Sequence, residues 1–429
     1  MQVVSPSSTA NSEPQPQPQQ QRRPSLWGHH DFLKLWFGQT VSVFGSSISD
    51  VAIPLIAVVL LQARPSQMGL LSLAQYLPFA LVGLFAGALV DRLPRRLVLI
   101  VSDAGRALFL SLIPLLALFG LLHIELLYAV TFGVGILTVF FEVAYTSYLP
   151  TLIGRDDLVE GNSKLQTTLS AAQVVGPGLA GGLVQIIAAP LAILLDAASF
   201  LVSVLSLRWI RLKEPRPAQQ TDRHLLREIG EGLRYLWKNP IVRALVGCSA
   251  TANIFVNMYI ALYAVYALRD LRFSPALFGA LATASGIGGV LGAMVAPRLA
   301  RRFSIGQMLI GCQLAAAISP LLLSFLRGPL ALLALEYGVV LLLWDMGVMV
   351  YGITGGSLRQ AIIPNALQGR VAASSRMISW GIPSLGFVLG GWLGEWLDIH
   401  LILALVSAGL LLSIIWLIPL RAIRQPSSE

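Results

Sequence analysis

The sequence predicts an all-α membrane protein of about twelve transmembrane helices, arranged as two similar six-helix halves. Composition is the first reason. Hydrophobic residues make up 55% of the 429 and charged residues 12%, about half the charged share of a soluble protein, so lipid must cover most of the surface. The second is length. The stretches 67–90, 165–195, 244–268 and 303–326 carry no charge, and each reaches or exceeds the roughly 20 residues needed to cross about 30 Å of hydrocarbon. The third is internal repetition. Gly83-x-x-x-Gly87 recurs as Gly288-x-x-x-Gly292, Arg95-Arg96 as Arg301-Arg302, and Pro177 as Pro383, at offsets of 205 or 206. Small residues at that spacing let helices approach closely, and recurrence at equivalent spans marks a repeat. The weak ten-residue alternation of an outer-membrane barrel is absent.

In chain order, residues 1–30 open with a Gln-, Pro- and Ser-rich stretch holding almost no apolar content, and a disordered tail is expected. No apolar core follows a basic start there, so no cleavable signal is expected and the first span directs insertion. Apolar runs and their breakers place spans near 33–61, 67–90, 97–119, 124–148, 164–187 and 190–210 in the first half (31–210). The second half (241–421) has them near 242–267, 275–297, 305–326, 329–353, 370–395 and 400–420. Between the halves, the linker 211–240 sets Leu225, Leu226, Ile229, Leu233, Leu236 and Trp237 on one helical face, as in an amphipathic helix lying on the inner leaflet. A short tail, 422–429, ends the chain.

With twelve spans, the even loops and both termini share one side. That side collects twenty-five Lys and Arg against four (Arg64, Arg269, Arg272, Arg327) on the other. The positive-inside rule then puts both termini in the cytoplasm of a cell (inner or plasma) membrane. The same asymmetry explains the net charge of +9 without a nucleic-acid partner. Cys248 and Cys312 each sit inside an apolar run and read as small apolar fillers. The five histidines lack ligand spacing and no Gly-Lys-Ser/Thr phosphate loop is present, so neither a metal site, an ATP site nor an enzyme is expected.

The loop after span two reads Gly87-Ala-Leu-Val-Asp91-Arg92-Leu-Pro94-Arg95-Arg96. It resembles the loop signature of the major facilitator superfamily, with Pro94 where Gly is usual and Ala296 standing for Asp91 in the second-half copy. The resemblance implies a conformational latch. Asp91 would accept hydrogen bonds from a neighbouring helix N-terminus, and Arg92, Arg95 and Arg96 would pair across the halves in one conformation. Asp103-x-x-Arg106, Tyr148-Leu-Pro150, Asp196-Ala-Ala-Ser199-Phe200, the run Glu231 to Pro240 and Gly369-Arg370-Val resemble the enterobactin-exporter-like branch, which includes macrolide and multidrug efflux proteins. Gly176-Pro177-Gly178-Leu-Ala-Gly181-Gly182 in span five resembles the superfamily's exporter signature with one extra residue. Its Gly and Pro would bend the helix and seat it across the half-interface.

Charged residues at membrane depth cost about 2.5–3.5 kcal/mol at a helix centre, so they face a cavity or a partner. Asp50 in span one, Glu142 in span four and Asp345 in span ten lie at such depth, and Asn253 and Asn257 add polar groups to span seven. In the superfamily fold these spans line the central cavity, which implies convergence there for proton coupling or substrate binding. The alternative for Asp50 is a packing hydrogen bond among Ser46, Ser47 and Ser49; for Glu142 it is neutralisation by Arg106. Asp103 and Arg106, one turn apart, read as a structural pair. Arg106 is the candidate arginine at depth, which leans towards a cationic lipophilic substrate. The expected function is proton-coupled export of a drug-like, siderophore or secondary-metabolite molecule by a monomer that needs no cofactor beyond the gradient. Uptake, or lipid or nutrient transport on the same fold, is the runner-up. A membrane sensor would require an output domain larger than the tail and linker provide.

Overall fold

The computed structural model describes residues 26–154, 156–212, 214, 225–364 and 367–421. Residues 1–25 of the expected N-terminal tail 1–30, the expected C-terminal tail 422–429, and most of the linker before Leu225 lie outside them. Among the described residues the chain makes twelve helical passages at the places the apolar runs predict. Ten are single helices long and apolar enough to cross a bilayer: His30–Leu60, Arg95–Leu118, Ile124–Ile153, Leu158–Ile186 and Ala189–Arg208 in the first half. Pro240–Asp270, Pro275–Ala300, Ile305–Ser324, Leu330–Ile362 and Ile399–Leu420 follow in the second. These are spans one, three to six, seven to ten, and twelve. Spans two and eleven are broken. Span two runs Pro65–Leu81 and Gly83–Val90, with Pro78 a turn before the break withholding an N–H from the ladder. Span eleven passes from Gln368–Arg376 through a π-turn, Met377–Gly381, and a 3-10 turn, Ile382–Ser384, to Leu385–Leu393, with Pro383 at the centre.

The repeat is real, but its structural offset is 210. The π-turns Ile56–Leu60 and Tyr266–Asp270, the following left-handed residues Gln62 (φ 54°) and Arg272 (φ 55°), and the prolines opening spans two and eight all differ by 210 in number. The offsets of 205 and 206 seen in the sequence match residue types, not positions. The glycine pairs also behave differently. Gly288 and Gly292 seat the backbone of span ten at Leu342 and Met346, whereas Gly83 and Gly87 have open space where a side chain would project.

The halves meet at two glycine crossings. Gly181 of span five lies against Gly279 of span eight, and Gly69 of span two against Gly391 of span eleven. Each partner is the 210-residue image of the other crossing's partner, so one pseudo-twofold axis relates them. Further cross-half bonds gather at the end opposite the termini. The Ser66 hydroxyl donates to Glu395 at 2.6 Å, Arg269 donates to the Val58 carbonyl at 2.9 Å, and Tyr76 stacks on Phe387 with centroids 5.2 Å apart. At the basic end, which carries the termini, no hydrogen bond or ion pair joins the latch residues to the second half among the described residues. A cavity of the second half reaches this end, where Arg359, Gln360 and Gln368 belong to its lining.

Residues 26–28 belong to the folded body. Leu26 is buried, its N–H donates to Glu160 at 3.1 Å, and Lys164 lies 4.0 Å above the Trp27 ring. The linker helix Leu225–Lys238 packs on protein. Leu236 is buried with Val242, Val246, Ile363 and Val371, and Glu231 pairs with Arg370 at the start of span eleven. Trp237 stays exposed.

Candidate functional site

Span one packs on span six through small residues, and this sets the depth of its carboxylate. Gly38 fits against Ser203 and Ser206, and Gly45 against Ser199. Side chains on that face, Ser42 and Ser49 among them, are buried, whereas Asp50, one position on from Ser49, is exposed. Asp50 sits about two-thirds of the way along span one from the basic end, on the face turned to the interior. Tyr76 of span two and Tyr263 of span seven lie within reach of its charge, so it looks across the boundary between halves. Two aromatic stacks border this region: Tyr76 on Phe387, and Tyr263 on Phe278 at 5.5 Å.

A second carboxylate lies behind it. Asp196 of span six is 1% exposed. It accepts hydrogen bonds from Ser49 and, at 3.1 Å, from Ser199, and it feels the charges of Asp50 and Arg106. In the sequence Asp196 stands out only as part of a family motif, and its place within electrostatic reach of Asp50 emerges from the packing of span one on span six. The available signal was a charged residue in mid-span beside a serine a turn away.

Asp103 and Arg106 form a buried ion pair between spans three, four and six. The guanidinium is sandwiched between Phe141, at 4.4 Å, and Phe200, at 4.2 Å. Arg106 is thus enclosed in the first half and is not the arginine that faces substrate. Glu142 is exposed on span four, within electrostatic reach of Arg106 and also of Arg376 on span eleven.

The remaining candidates do not gather at Asp50. Asp345 accepts a hydrogen bond from Ser285 of span eight, which joins spans eight and ten. Asn253 and Asn257 serve the broken helix. Their amides donate to the carbonyls of Ser379, at 2.6 Å, and Pro383, at 2.9 Å. Both carbonyls lie at the π-turn and proline where span eleven breaks, and within a membrane backbone groups at such a break need partners. Asn253 also lines a cavity of about 620 Å³ inside the second half, with Trp344, Tyr351, Arg359, Arg376 and Ser379.

The latch residues sit in the turn between spans two and three. Asp91 is half-buried and Arg92 exposed. Glu214 caps span three, accepting from the N–H groups of Arg95 and Arg96 at 3.0 and 3.1 Å. The Arg96 side chain donates to the carbonyls of Leu207, at 2.9 Å, and Arg208, at 2.7 Å, and Arg95 reaches Thr151 at 3.3 Å. All these bonds stay in the first half. In span five, Gly176 fits against Ser47 of span one, the carbonyl of Pro177 lies against Gly279, and Gly181 lies against Pro275 and Gly279, while Gly182 meets nothing. The Gly-Pro segment is thus the seat of one glycine crossing.

Twelve passages in two pseudo-equivalent halves, touching at one end and enclosing carboxylates and a cavity open to the other, define a multi-pass membrane transporter of the major facilitator type. The chain belongs to the family described as "Transmembrane secretion effector", whose sequence profile matches residues 26–428. It is 28% identical over 396 residues to "Multidrug efflux pump Tap" of Mycolicibacterium fortuitum, covering 89% of this chain and 93% of that protein. It is 25% identical over 246 residues to "Macrolide efflux protein A" of Streptococcus pyogenes, covering 56% of this chain and 59% of that one. Among solved structures, the nucleoside transporter NupG superposes with a TM-score of 0.74 at 13% identity, over 92% of this chain and 100% of that chain. A bacterial homologue of the iron transporter ferroportin gives 0.70 at 19% identity, over 91% and 98%. Relatives and neighbours alike are transporters, not enzymes.

Proposed function

We propose that this protein is a proton-coupled exporter that moves a drug-like small molecule out of the cell as a monomer, alternating between the basic-end-open form and one open opposite. The observation that carries the proposal is Asp50, a carboxylate exposed to the interior at the boundary between halves. The charge asymmetry supports a basic end on the cytoplasmic side of the plasma membrane, from which Asp50 would be reached in this form. Rocking about the two glycine crossings would break Ser66–Glu395 and Arg269–Val58 and open Asp50 to the acidic side, where it takes up the proton that enters. Efflux relatives support the outward direction.

The test uses inside-out vesicles with an acidified lumen and a panel of fluorescent dyes. Wild-type protein accumulates a transported dye and releases it when a protonophore collapses the gradient. Asp50→Asn, which mimics the protonated state, abolishes gradient-driven accumulation but retains exchange. Accumulation by Asp50→Asn equal to wild type would remove Asp50 from the coupling role. Movement only towards the cytoplasmic face would make the protein an importer.

A further inference from the structure

The cavity in the second half is lined by two arginines, Arg359 of span ten and Arg376 of span eleven, and by no Asp or Glu. Arg376 is the ninth residue of its helix, about 12 Å of helical rise from the basic end, too deep to be simply a loop cation. Neither guanidinium has an ion-pair partner among the described residues. Beside them, Ser375 and Ser379, 8% and 5% exposed, belong to the cavity lining, with their hydroxyl oxygens enclosed and without a hydrogen-bond partner. A buried hydroxyl left unbonded is costly, so the polar groups at this end of the cavity are under-satisfied beside two guanidiniums that no hydrogen bond or ion pair ties down among the described residues. Trp344, Val256, Ala316 and Leu410 make the lining apolar farther from the basic end, and the Trp344 indole offers it a planar face.

We propose that this cavity binds an acidic amphiphile, a molecule carrying one carboxylate-like anionic group on a flat apolar body. Arg359 and Arg376 hold the anion, and Trp344 stacks on the body. Glu142, within reach of Arg376 from span four, competes for that guanidinium when the site is empty. The site reverses the preference for a cation drawn from Arg106, because that arginine is locked onto Asp103 and the cavity's own arginines lie elsewhere. The inference goes beyond proton-coupled export: it needs only the cavity, and equilibrium binding reads neither direction nor coupling.

The test is fluorescence titration of the purified full-length protein in phosphatidylcholine nanodiscs with dansyl-phenylalanine and with its neutral amide. The acid binds more tightly than the amide by roughly tenfold or more, as two charge-assisted contacts require. Arg359→Gln/Arg376→Gln removes that preference and leaves amide binding unchanged. Arg376→Lys keeps part of it, and Arg298→Gln, a basic-end cation outside the cavity, keeps all of it. Displacement of the probe by phosphatidylglycerol in the disc assigns the natural acid to the bilayer; no displacement assigns it to free solutes. Equal affinity for acid and amide, unchanged acid binding in the double variant, or an equal loss in Arg298→Gln would each overturn the proposal.

Discussion

The buried pair in the first half shows how a single charge is tolerated at membrane depth. Asp103 is fully buried and Arg106 nearly so; each neutralises the other, and two aromatic faces complete the guanidinium's surroundings. Removing one partner strands the other, at a cost on the order of 3–5 kcal/mol. Arg106→Met and Asp103→Leu should therefore each lower the melting temperature and membrane abundance, while the double variant recovers most of the loss. Glu395 tests a charge in water. Hydrogen bonds from the Ser66 hydroxyl and backbone N–H hold its carboxyl below the usual glutamate range. A depressed carboxyl stabilises its contact above the unperturbed value and loses that contribution only as pH falls through the depressed one. The outer contact should thus persist from neutral pH to about 4.3. Spin labels at Gln62 and Trp396, in an Asp50→Asn background without native cysteines, should give one distance at pH 8 and pH 5. Glu395→Gln should broaden it at both.

Helices of similar sequence pattern do different work according to what they face. Gly288 and Gly292 of span eight have the carbonyls of Leu342 and Met346 pressed against them, so a side chain there forces span ten away. Gly83 and Gly87 of span two meet open space. Gly288→Val and Gly292→Val should lower membrane abundance several-fold, as overpacking does, while Gly83→Ala and Gly87→Ala should leave it within about 20% of wild type, read on a fluorescent-fusion blot. Equal sensitivity of both pairs would mean that span two also packs tightly there. Span eleven shows the reverse economy: Asn253 and Asn257 donate to carbonyls at its break, so polar residues in span seven stabilise a turn in another helix.

At the scale of the molecule, the hydrogen bonds between the halves gather at the end opposite the termini, and in the cycle proposed above this is one of two forms. Cysteines placed singly at Gln62 and Leu271 should react with impermeant thiol reagents from outside, and one at Gly369 should not; the opposite pattern would invert the orientation. The latch residues bond within their own half in this form. Asp91→Asn and Arg92→Ala should then leave abundance unchanged and lower turnover, because they bias an equilibrium between forms and do not hold the fold. Wild-type turnover in Asp91→Asn would remove that role.

The number and placement of spans and the two-half repeat were legible in the sequence because hydropathy acts locally, over one or two helical turns. The breaks in spans two and eleven were not, and span five, where a bend was expected, is one continuous helix. The Asp103–Arg106 pair was legible, because i,i+3 neighbours meet on any helix. What surrounds each polar residue was not, since that depends on how far each helix rotates and where it breaks. Ser49 and Asp50 are adjacent, yet one faces a buried carboxylate and the other the open interior. Arg106 and Arg376 are both arginines within spans, yet packing encloses the first and leaves the second lining a cavity. The offset of 210 emerged only when π-turns and left-handed residues aligned in space, because matching residue types ignores backbone geometry. Composition and periodicity determined that this chain crosses the membrane in two related halves. Tertiary contact alone decided which charges are neutralised by packing and which remain free to meet a proton or a ligand.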